Sequence, residues 1–318
     1  MVGGERAYVH FGYEDVFASG AIANKTFGEN VSIRNVDLKN NFKRIFRLGS
    51  RSAVGSFANK FEGALSIEFD LSDPWFMQGV LGAVETSGTN PYYHTFTEAN
   101  KPPSLTIENG FGDGSHSGYV RKYLGAVIGD CKISTAVGDE PAKVSLTMMY
   151  ANELLTSSSV SQYQSSGGVY PFSYGSFQYP TGSTIAETES VELSITNNAA
   201  IKHSLGNRIG SRYDMRQRTY DVTTTHAFDD PATYLQAAYG KSSGPTSGHI
   251  SGQAGMTITL DNGEVSSEQR KWMFHFGHAV IDKHSFGTQA VEQEQMETID
   301  IIPETVIIQC VNDISAMP

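Results

Sequence analysis

The chain repeats itself. Four short patterns of its first half return in the second half in the same order, while the distance between copies drifts from 161 to 157 to 153 residues. They are Phe11-Gly12-Tyr13 with Phe172-Ser173-Tyr174, Arg47–Arg51 (RLGSR) with Arg208–Arg212 (RIGSR), Asp73-Pro74 with Asp230-Pro231, and Leu105–Gly110 (LTIENG) with Ile258–Gly263 (ITLDNG). A few loop deletions would produce such a drift, so the patterns indicate a duplicated domain. Two similar building blocks suit a symmetric ring better than a single catalytic pocket.

The duplication predicts two domains and a connection between them. At 318 residues the chain exceeds a typical single core. We predict a first domain over residues 1–153, a linker over 154–168 and a second domain over 169–318. The linker sequence is rich in Ser, Gly and Gln, a composition typical of flexible connections.

The charge balance disfavours a conventional nucleic-acid-binding protein. The chain carries 23 Lys and Arg against 34 Asp and Glu, a formal net charge of −11, so its surface should repel phosphate. No apolar run approaches the roughly 18 residues that span a bilayer, and the first residues lack the apolar core of a signal peptide. We expect a protein that is made in the cytoplasm and does not insert into membranes.

Short strands dominate the hydrophobic pattern. Alternating or β-branched stretches, separated by Gly, Asn and Asp, predict antiparallel strands. The clearest cover residues 64–70, 104–108, 125–128 and 143–150. The sequence therefore predicts a mainly β protein built from two tandem antiparallel β domains.

Each half also carries the signals of one short α-helix. Asp73 can act as the N-cap, Pro74 suits the first helical position and Gly82 can end the helix. The second copy repeats these signals at Asp230, Pro231 and Gly240. We therefore expect one helix flanking each β domain.

A basic stretch over residues 31–61, with a counterpart over 191–220, is the strongest candidate for a functional surface. Its cations alternate with Phe42 and Phe46, a pattern that could indicate nucleic-acid contact or a mobile surface loop. Because the chain is acidic overall, we favour a cationic protrusion that docks on another copy. The candidate inter-subunit residues are Lys43, Arg44, Phe46, Arg47, Gly49, Ser50 and Arg51, with Arg208, Gly210, Ser211 and Arg212 in the second copy.

Candidate catalytic and metal sites have little support. His275, His278 and His284 could in principle bind zinc, but residues 275 and 278 of one strand point to opposite faces. Cys131 and Cys310 do not occupy matching positions of the two copies and have no CxxC partner, so free buried thiols are expected. No G-x-S-x-G elbow or phosphate-binding loop is present. We predict no catalytic, cofactor-binding or metal site and no enzymatic activity.

The order of elements resembles the major tail tube protein of long-tailed bacterial or archaeal viruses. The resemblance rests on the long basic loop between two strands, the Asp73-Pro74 helix start, LTIE at 105–108, LGAVI at 124–128 and PAKVSLTM at 141–148. It covers residues 8–152 well and residues 169–312 as a more diverged copy.

This resemblance implies a structural virion protein. Tail tube proteins form β-sandwich or part-barrel domains that join into rings, and the rings stack with the long loop reaching the adjacent ring. Two copies in one chain imply trimeric rings with pseudo-sixfold symmetry. The implied partners are the chain itself, the tape-measure protein, the tail terminator and tip proteins, and viral DNA passing transiently through the lumen without sequence recognition.

One alternative from a different class remains open. A monomeric ligand- or carbohydrate-binding β protein could stack its ligand on Tyr170, Tyr174, Tyr179 and Trp272. Such a protein would stay a compact monomer, whereas a tube protein would form rings or filaments.

Overall fold

The chain folds as a mainly β protein. The computed structural model describes residues 7–111, 119–156, 168–185, 187–228, 231–232, 235, 254–264, 269–287 and 295–314. Strands dominate these residues, and all the pairings between them are antiparallel. The predicted fold class is therefore confirmed.

The first half contributes twelve of the described strands and one α-helix. They are β1 (Ala7–Tyr13), β2 (Lys25–Thr26), β3 (Glu29–Lys39), β4 (Lys43–Phe46), β5 (Ala53–Phe57), β6 (Glu62–Asp70), α1 (Met77–Leu81), β7 (Gly82–Gly88), β8 (Tyr92–Glu98), β9 (Leu105–Phe111), β10 (Tyr119–Ala136), β11 (Lys143–Tyr150) and β12 (Asn152–Thr156).

The second half contributes nine described strands. They are β13 (Ser176–Gln178), β14 (Thr188–Thr196), β15 (Ala200–His203), β16 (Gly210–Asp214), β17 (Thr219–Ala227), β18 (Ala254–Asp261), β19 (Lys271–Phe286), β20 (Met296–Pro303) and β21 (Val306–Asn312).

The strands of the two halves pair in the same order. In the first half the order is β1–β9–β10–β11–β6–β3, with β12 also on β10. In the second half it is β13–β18–β19–β20–β17–β14, with β21 also on β19. The hairpins β4–β5 and β15–β16 likewise occupy the same place in each order.

The long strand β10 takes part in two sheets. The first part of β10 pairs with β9 and β12, and its last part, from Asp130 to Ala136, pairs with β11 and β14. This pairing with β14 joins the halves into one large sheet, ordered β3–β6–β11–β10–β14–β17–β20–β19. A second connection, β8 with β21, joins the halves on the other side of the core.

The helix of the first half begins later than predicted. The α-helix runs from Met77 to Leu81, and its N-cap is Phe76, without a side-chain cap. Asp73 is fully buried, and its Oδ2 accepts a hydrogen bond from Thr26 Oγ1 at 2.6 Å. The expected N-cap role of Asp73 is therefore wrong, because the helix begins only at Met77, with Phe76 as its N-cap. In agreement with the predicted stop, Gly82 follows the helix with a positive φ of 114°.

Most of the second predicted helix lies outside the described residues, including Asp230 and Gly240. Leu235 N donates to Pro231 O at 2.8 Å, which is the spacing of an α-helical turn. The predicted linker also needs a correction at its start. Residues 154–156 belong to β12, where Leu155 and Leu154 pair with Arg121 and Lys122, and residues 157–167 lie outside the described part.

One continuous apolar core lies behind the large sheet and spans both halves. Phe76 of the first half stacks on Trp272 of the second, with ring centroids 6.0 Å apart. Cys131 and Cys310 are buried free thiols, as predicted, and burial raises the pKa of both.

Among the described residues, no helix combines the length and the apolar character needed to cross a membrane.

Candidate assembly surfaces

The large sheet ends in two strand edges that lack a pairing partner among the described strands. At one end, β3 pairs only with β6. At the other end, residues 280–286 of β19 pair only with β20. An unpaired edge presents free backbone N–H and C=O groups, so it is a ready template for another strand.

The large sheet has one apolar face and one polar face. In β6, Leu65, Ile67 and Phe69 are buried, whereas Ser66 and Glu68 between them are partly exposed, because successive strand residues point to opposite faces. The polar face is rich in hydroxyls. They include Ser145, Thr147, Ser190, Ser194, Thr223, Thr225, Ser285 and Thr298.

Several charges on the polar face form ion pairs across strands. The ion pairs are Arg34 with Glu68 at 2.8 Å, Lys132 with Glu192 at 2.7 Å, and Lys283 with Asp300 at 3.8 Å. The net negative charge of the chain is therefore not concentrated in a uniformly acidic patch on this face.

The hairpin formed by β4 and β5, here called hairpin 1, carries the predicted site of the first copy. Lys43, Arg44 and Phe46 lie on β4, and its residues are all exposed. The turn closes with a hydrogen bond from Ser50 N to Arg47 O at 3.0 Å, and Gly49 adopts a φ of 83° that favours glycine. Arg51 follows the turn and is also exposed.

Hairpin 1 is unusually apolar for a protrusion. Its exposed apolar side chains are Phe42 (65%), Ile45 (47%), Phe46 (61%), Leu48 (104%), Val54 (50%) and Phe57 (51%). The chain itself leaves these side chains in solvent, which is the usual mark of a surface that contacts another protein.

The hairpin formed by β15 and β16, here called hairpin 2, carries the predicted site of the second copy. Arg208 does not project into solvent alone: its Nε donates to Asn59 O and its Nη2 to Asn40 Oδ1, each at 2.8 Å. Hairpin 2 is therefore hydrogen-bonded to the base of hairpin 1 of the same chain. Gly210, Ser211 and Arg212 lie on β16, where Gly210 is buried and the other two are exposed.

The two RxGSR patterns do not occupy the same place in their hairpins. Gly206, with a φ of 84°, is the turn glycine of hairpin 2, whereas Gly210 lies in a strand. The turn hydrogen bond of hairpin 2 runs from Asn207 N to Ser204 O at 3.1 Å. Leu48-Gly49 therefore corresponds to Leu205-Gly206, an offset of 157 rather than 161.

Sequence reasoning missed a pair of asparagines at the hairpin bases. Asn41 and Asn198 have φ values of 49° and 48°, and their Nδ2 atoms donate to Lys60 O and Gln217 O at 3.0 and 2.8 Å. The signal was present, since an Asn-Asn dipeptide begins each hairpin at an offset of 157. It predicts a left-handed residue because asparagine tolerates that conformation.

The three histidines considered as a zinc site lie in different surroundings. His275 and His278 are exposed on β19, while His284 Nε2 contacts Glu297 Oε2 at 2.5 Å. The other oxygen of this carboxylate contacts His226 Nε2 at 2.5 Å, so the two rings bind different oxygens. Burial lowers the pKa of His226, and the Glu297 carboxylate opposes that shift. In the described part of the chain, no group of His, Cys, Asp and Glu is arranged to hold a metal ion.

The aromatic platform of the carbohydrate-binding alternative is also absent. Tyr170, Tyr179 and Trp272 are 1%, 6% and 0% exposed, so they belong to the core. Tyr174 is exposed, but a single ring offers no platform built from this set.

Comparison with known proteins points to the same kind of molecule as the resemblance in the sequence. The family model described as "Phage tail tube protein" matches residues 6–297, which covers nearly the whole chain and both halves. No curated protein matches the chain.

Proposed function

The chain belongs to the phage tail tube protein family, and we propose that three copies of it form a pseudo-sixfold ring whose stacking builds the tail tube. The observation that carries this proposal is the identical strand order of the two halves. We attribute that order to a tandem duplication of one tube domain. One chain then supplies two of the six sheet segments, and fusion holds the second domain at high effective concentration.

Ring closure is supported by the two edges of the large sheet that have no pairing strand among the described residues. β3 is the first strand of the sheet and β19 the last, so one edge of each copy is available to the opposite edge of the next. Pairing would satisfy the backbone groups of both edges and remove the aggregation hazard of an open sheet.

In this arrangement the polar face of the large sheet lines the channel. Its hydroxyls and its paired charges, such as Lys132 with Glu192, offer viral DNA few unneutralised cations. This supports passage of DNA without sequence recognition. The tube would conduct DNA into the host through a lumen in which Arg34, Lys132 and Lys283 each face an acid.

Hairpin 1 is the element that we assign to contacts between rings. Its exposed Phe42, Phe46 and Phe57 would be buried against the next ring. The corresponding residues of hairpin 2 at the offset of 157 are Ala199, His203 and Asp214, which lack this apolar character. The stacking contacts would therefore be made by three apolar hairpins per ring rather than six.

The protein acts in the virion tail as a structural component, without enzymatic activity or a cofactor. Besides itself, its partners would be the tape-measure protein inside the tube and the terminator and tip proteins at its ends. We place its synthesis in the host cytoplasm, before tail assembly.

Sedimentation and negative-stain electron microscopy of the purified full-length chain test this function. The proposal predicts particles of three chains with a central hole, and tubes at higher concentration. A compact monomer at every concentration would overturn it and favour the ligand-binding alternative.

A further inference from the structure

The junction between the two halves can serve as a structural template for the junction between two copies of the chain. β10 and β14 pair over seven positions, including Cys131 with Ile195 and Lys132 with Ser194. Each strand of this junction has a counterpart in the other half: in the shared strand order, β19 corresponds to β10 and β3 corresponds to β14. Among the described strands, these edges of β19 and β3 are therefore the same two surfaces without a pairing strand.

The strand pairings fix which residues correspond. Cys131 lies opposite Leu146 just after a bulge at Gly129, and His284 lies opposite Ile299 just after a bulge at Asp282. Gly129 and Asp282 are 153 residues apart, the same offset as the last sequence match. Cys131, Lys132 and Ile133 thus correspond to His284, Ser285 and Phe286.

The other side of the junction can be placed in the same way. Tyr220 lies opposite Ile195, and Gly63 lies opposite Leu38, with Tyr220 and Gly63 at the offset of 157. Ile195 therefore corresponds to Leu38 of β3. One position earlier, Ser194 corresponds to Asp37, since Asp221 and Ala64 are their partners.

We propose that β19 of one copy pairs with β3 of the next in this same register, with His284 opposite Leu38 and Ser285 opposite Asp37. The inference rests on the proposed ring and deepens it to named residues. Its partner is a second copy of this chain, because the opposite edge that completes the junction is present on every copy.

Burial supports this assignment. Within the chain, Ile133 and Ile195 at the existing junction are 4% and 0% exposed. Their counterparts at the two sheet edges are Phe286, whose ring packs on Phe228 and His284 but is still 43% exposed, and Leu38, which is 46% exposed. Large apolar residues occupy the same positions in both cases, so the free edges carry side chains suited to a covered site.

A backbone hydrogen bond at the junction between the two halves also has counterpart residues at the two sheet edges. Asn197, directly after β14, donates from its backbone N to Gly129 O at 2.7 Å. Asn40, directly after β3, corresponds to Asn197, and the bulge residue Asp282 corresponds to Gly129. The proposed register therefore brings Asn40 N of one copy to Asp282 O of the other.

The register also accommodates the charges at the seam. Lys283 would face Lys39 of the next copy, but each has an acid within its own chain. Lys283 lies 3.8 Å from Asp300, and Lys39 lies opposite Glu62, whose carboxylate also pairs with Lys60. The hydroxyl of Ser285 can reach the carboxylate of Asp37 without a like-charge contact.

The same correspondence between the halves applies to the two hairpins. Arg208 of the second half holds Asn59 O at the base of hairpin 1. At the offset of 157, Arg51 corresponds to Arg208 and Arg216 to Asn59. Arg51 of one copy should therefore donate to Arg216 O of its neighbour, a role that the turn residue Arg47 does not share.

Disulfide trapping tests the register. Ser285→Cys with Asp37→Cys in the same full-length chain should give a covalent trimer under mild oxidation, because opposite strand residues lie within disulfide reach. Lys132→Cys with Ser194→Cys is the matched positive control and should link within one chain. Ser285→Cys with Arg34→Cys is the register control, since Arg34 would lie opposite residue 287, about 7 Å further along the strand.

The outcomes separate the register from the ring. If rings form under reducing conditions but only the Arg34→Cys pair links, or neither pair does while the intrachain control does, the register is wrong and the ring stands. If no variant and no parent protein assembles, the proposed function fails. Arg51→Ala added to the linking pair should slow trimer formation several-fold, and Arg47→Ala should not; the reverse result would overturn the hairpin assignment.

Discussion

Asn197 reaches from the second half of the chain to Val80 of the first, where its Nδ2 donates to the backbone carbonyl at 3.0 Å. The same nitrogen lies 3.3 Å from Ile128 O, and its Oδ1 accepts from Arg218 Nε at 2.6 Å. Asn197 is 1% exposed, so these bonds form where water cannot replace them. One side chain thus connects α1, β10 and Arg218, the residue just before β17, at the junction of the halves.

Replacing Asn197 should therefore destabilise the whole protein. Asn197→Ala removes one buried partner of Val80 O and of Arg218 Nε, while Arg218 Nη2 still lies 3.3 Å from Val80 O, and we expect a loss of roughly 1–3 kcal/mol in the free energy of unfolding. Chemical denaturation measures it. Asn198→Gly is the control, because Asn198 is exposed and has a positive φ, and it should stay within about 0.5 kcal/mol of the parent. Equal losses in both variants would contradict the role of Asn197.

Asp73 should stabilise the fold through its hydrogen bond with Thr26 rather than as the cap of the helix. The buried carboxylate of Asp73 accepts a hydrogen bond from Thr26 Oγ1, with 2.6 Å between the two oxygens. Asp73→Ala should therefore lower the free energy of unfolding by roughly 1–3 kcal/mol. A double-mutant cycle with Thr26→Val should show coupling of about 1 kcal/mol, since the two changes remove one shared bond. Strictly additive losses would show that the hydrogen bond contributes nothing.

Stability should fall as the pH drops below about 6.5, the ordinary pKa of histidine. Burial lowers the pKa of His94, whose ring contacts Thr86 Oγ1 at 2.8 Å and Asn312 Oδ1 at 2.9 Å. The unfolded chain then binds protons that the folded chain does not, so stability is full above the unfolded pKa and is lost towards the lower folded pKa.

Unfolding curves at pH 7 and pH 5 measure this dependence. His94→Gln should reduce the difference between the two pH values, because glutamine does not titrate. It should not abolish it, since burial also lowers the pKa of His10 and His226. An unchanged difference in the variant would exclude His94 as a source.

Hairpin 1 should control stacking without controlling ring formation. Replacing Phe42, Phe46 and Phe57 by Ser removes exposed apolar surface and should leave rings intact while tubes become short or absent in negative stain. Leu205→Ser, at the exposed tip of hairpin 2, is the control and should leave tube length unchanged. Tubes of normal length from the triple variant would show that these side chains of hairpin 1 do not control stacking.

Local patterns predicted much of the fold because they depend on neighbouring residues. β11 begins and ends at the predicted residues 143 and 150, where apolar residues alternate cleanly. The helix start was wrong because Asp73 and Pro74 form an N-cap signal locally, yet Thr26, 47 residues away, takes the carboxylate. A contact of that range leaves no trace in local spacing.

The candidate site was predictable only in part for the same reason. The basic hairpin was visible as a charged, glycine-containing stretch, but its partner Arg208 was expected to face another copy and instead holds Asn40 and Asn59 of its own chain. The sheet edges at β3 and β19 depend on strand order, which a single sequence does not determine. His226, Glu297 and His284 meet only because three strands align.

Cryo-electron microscopy of the assembled tube tests the central claim most directly, because it counts the chains in each ring. The account predicts three chains per ring, arranged as six similar sheet segments with true threefold and approximate sixfold symmetry. A ring of six chains, or particles that remain solitary under all assembly conditions, would contradict it.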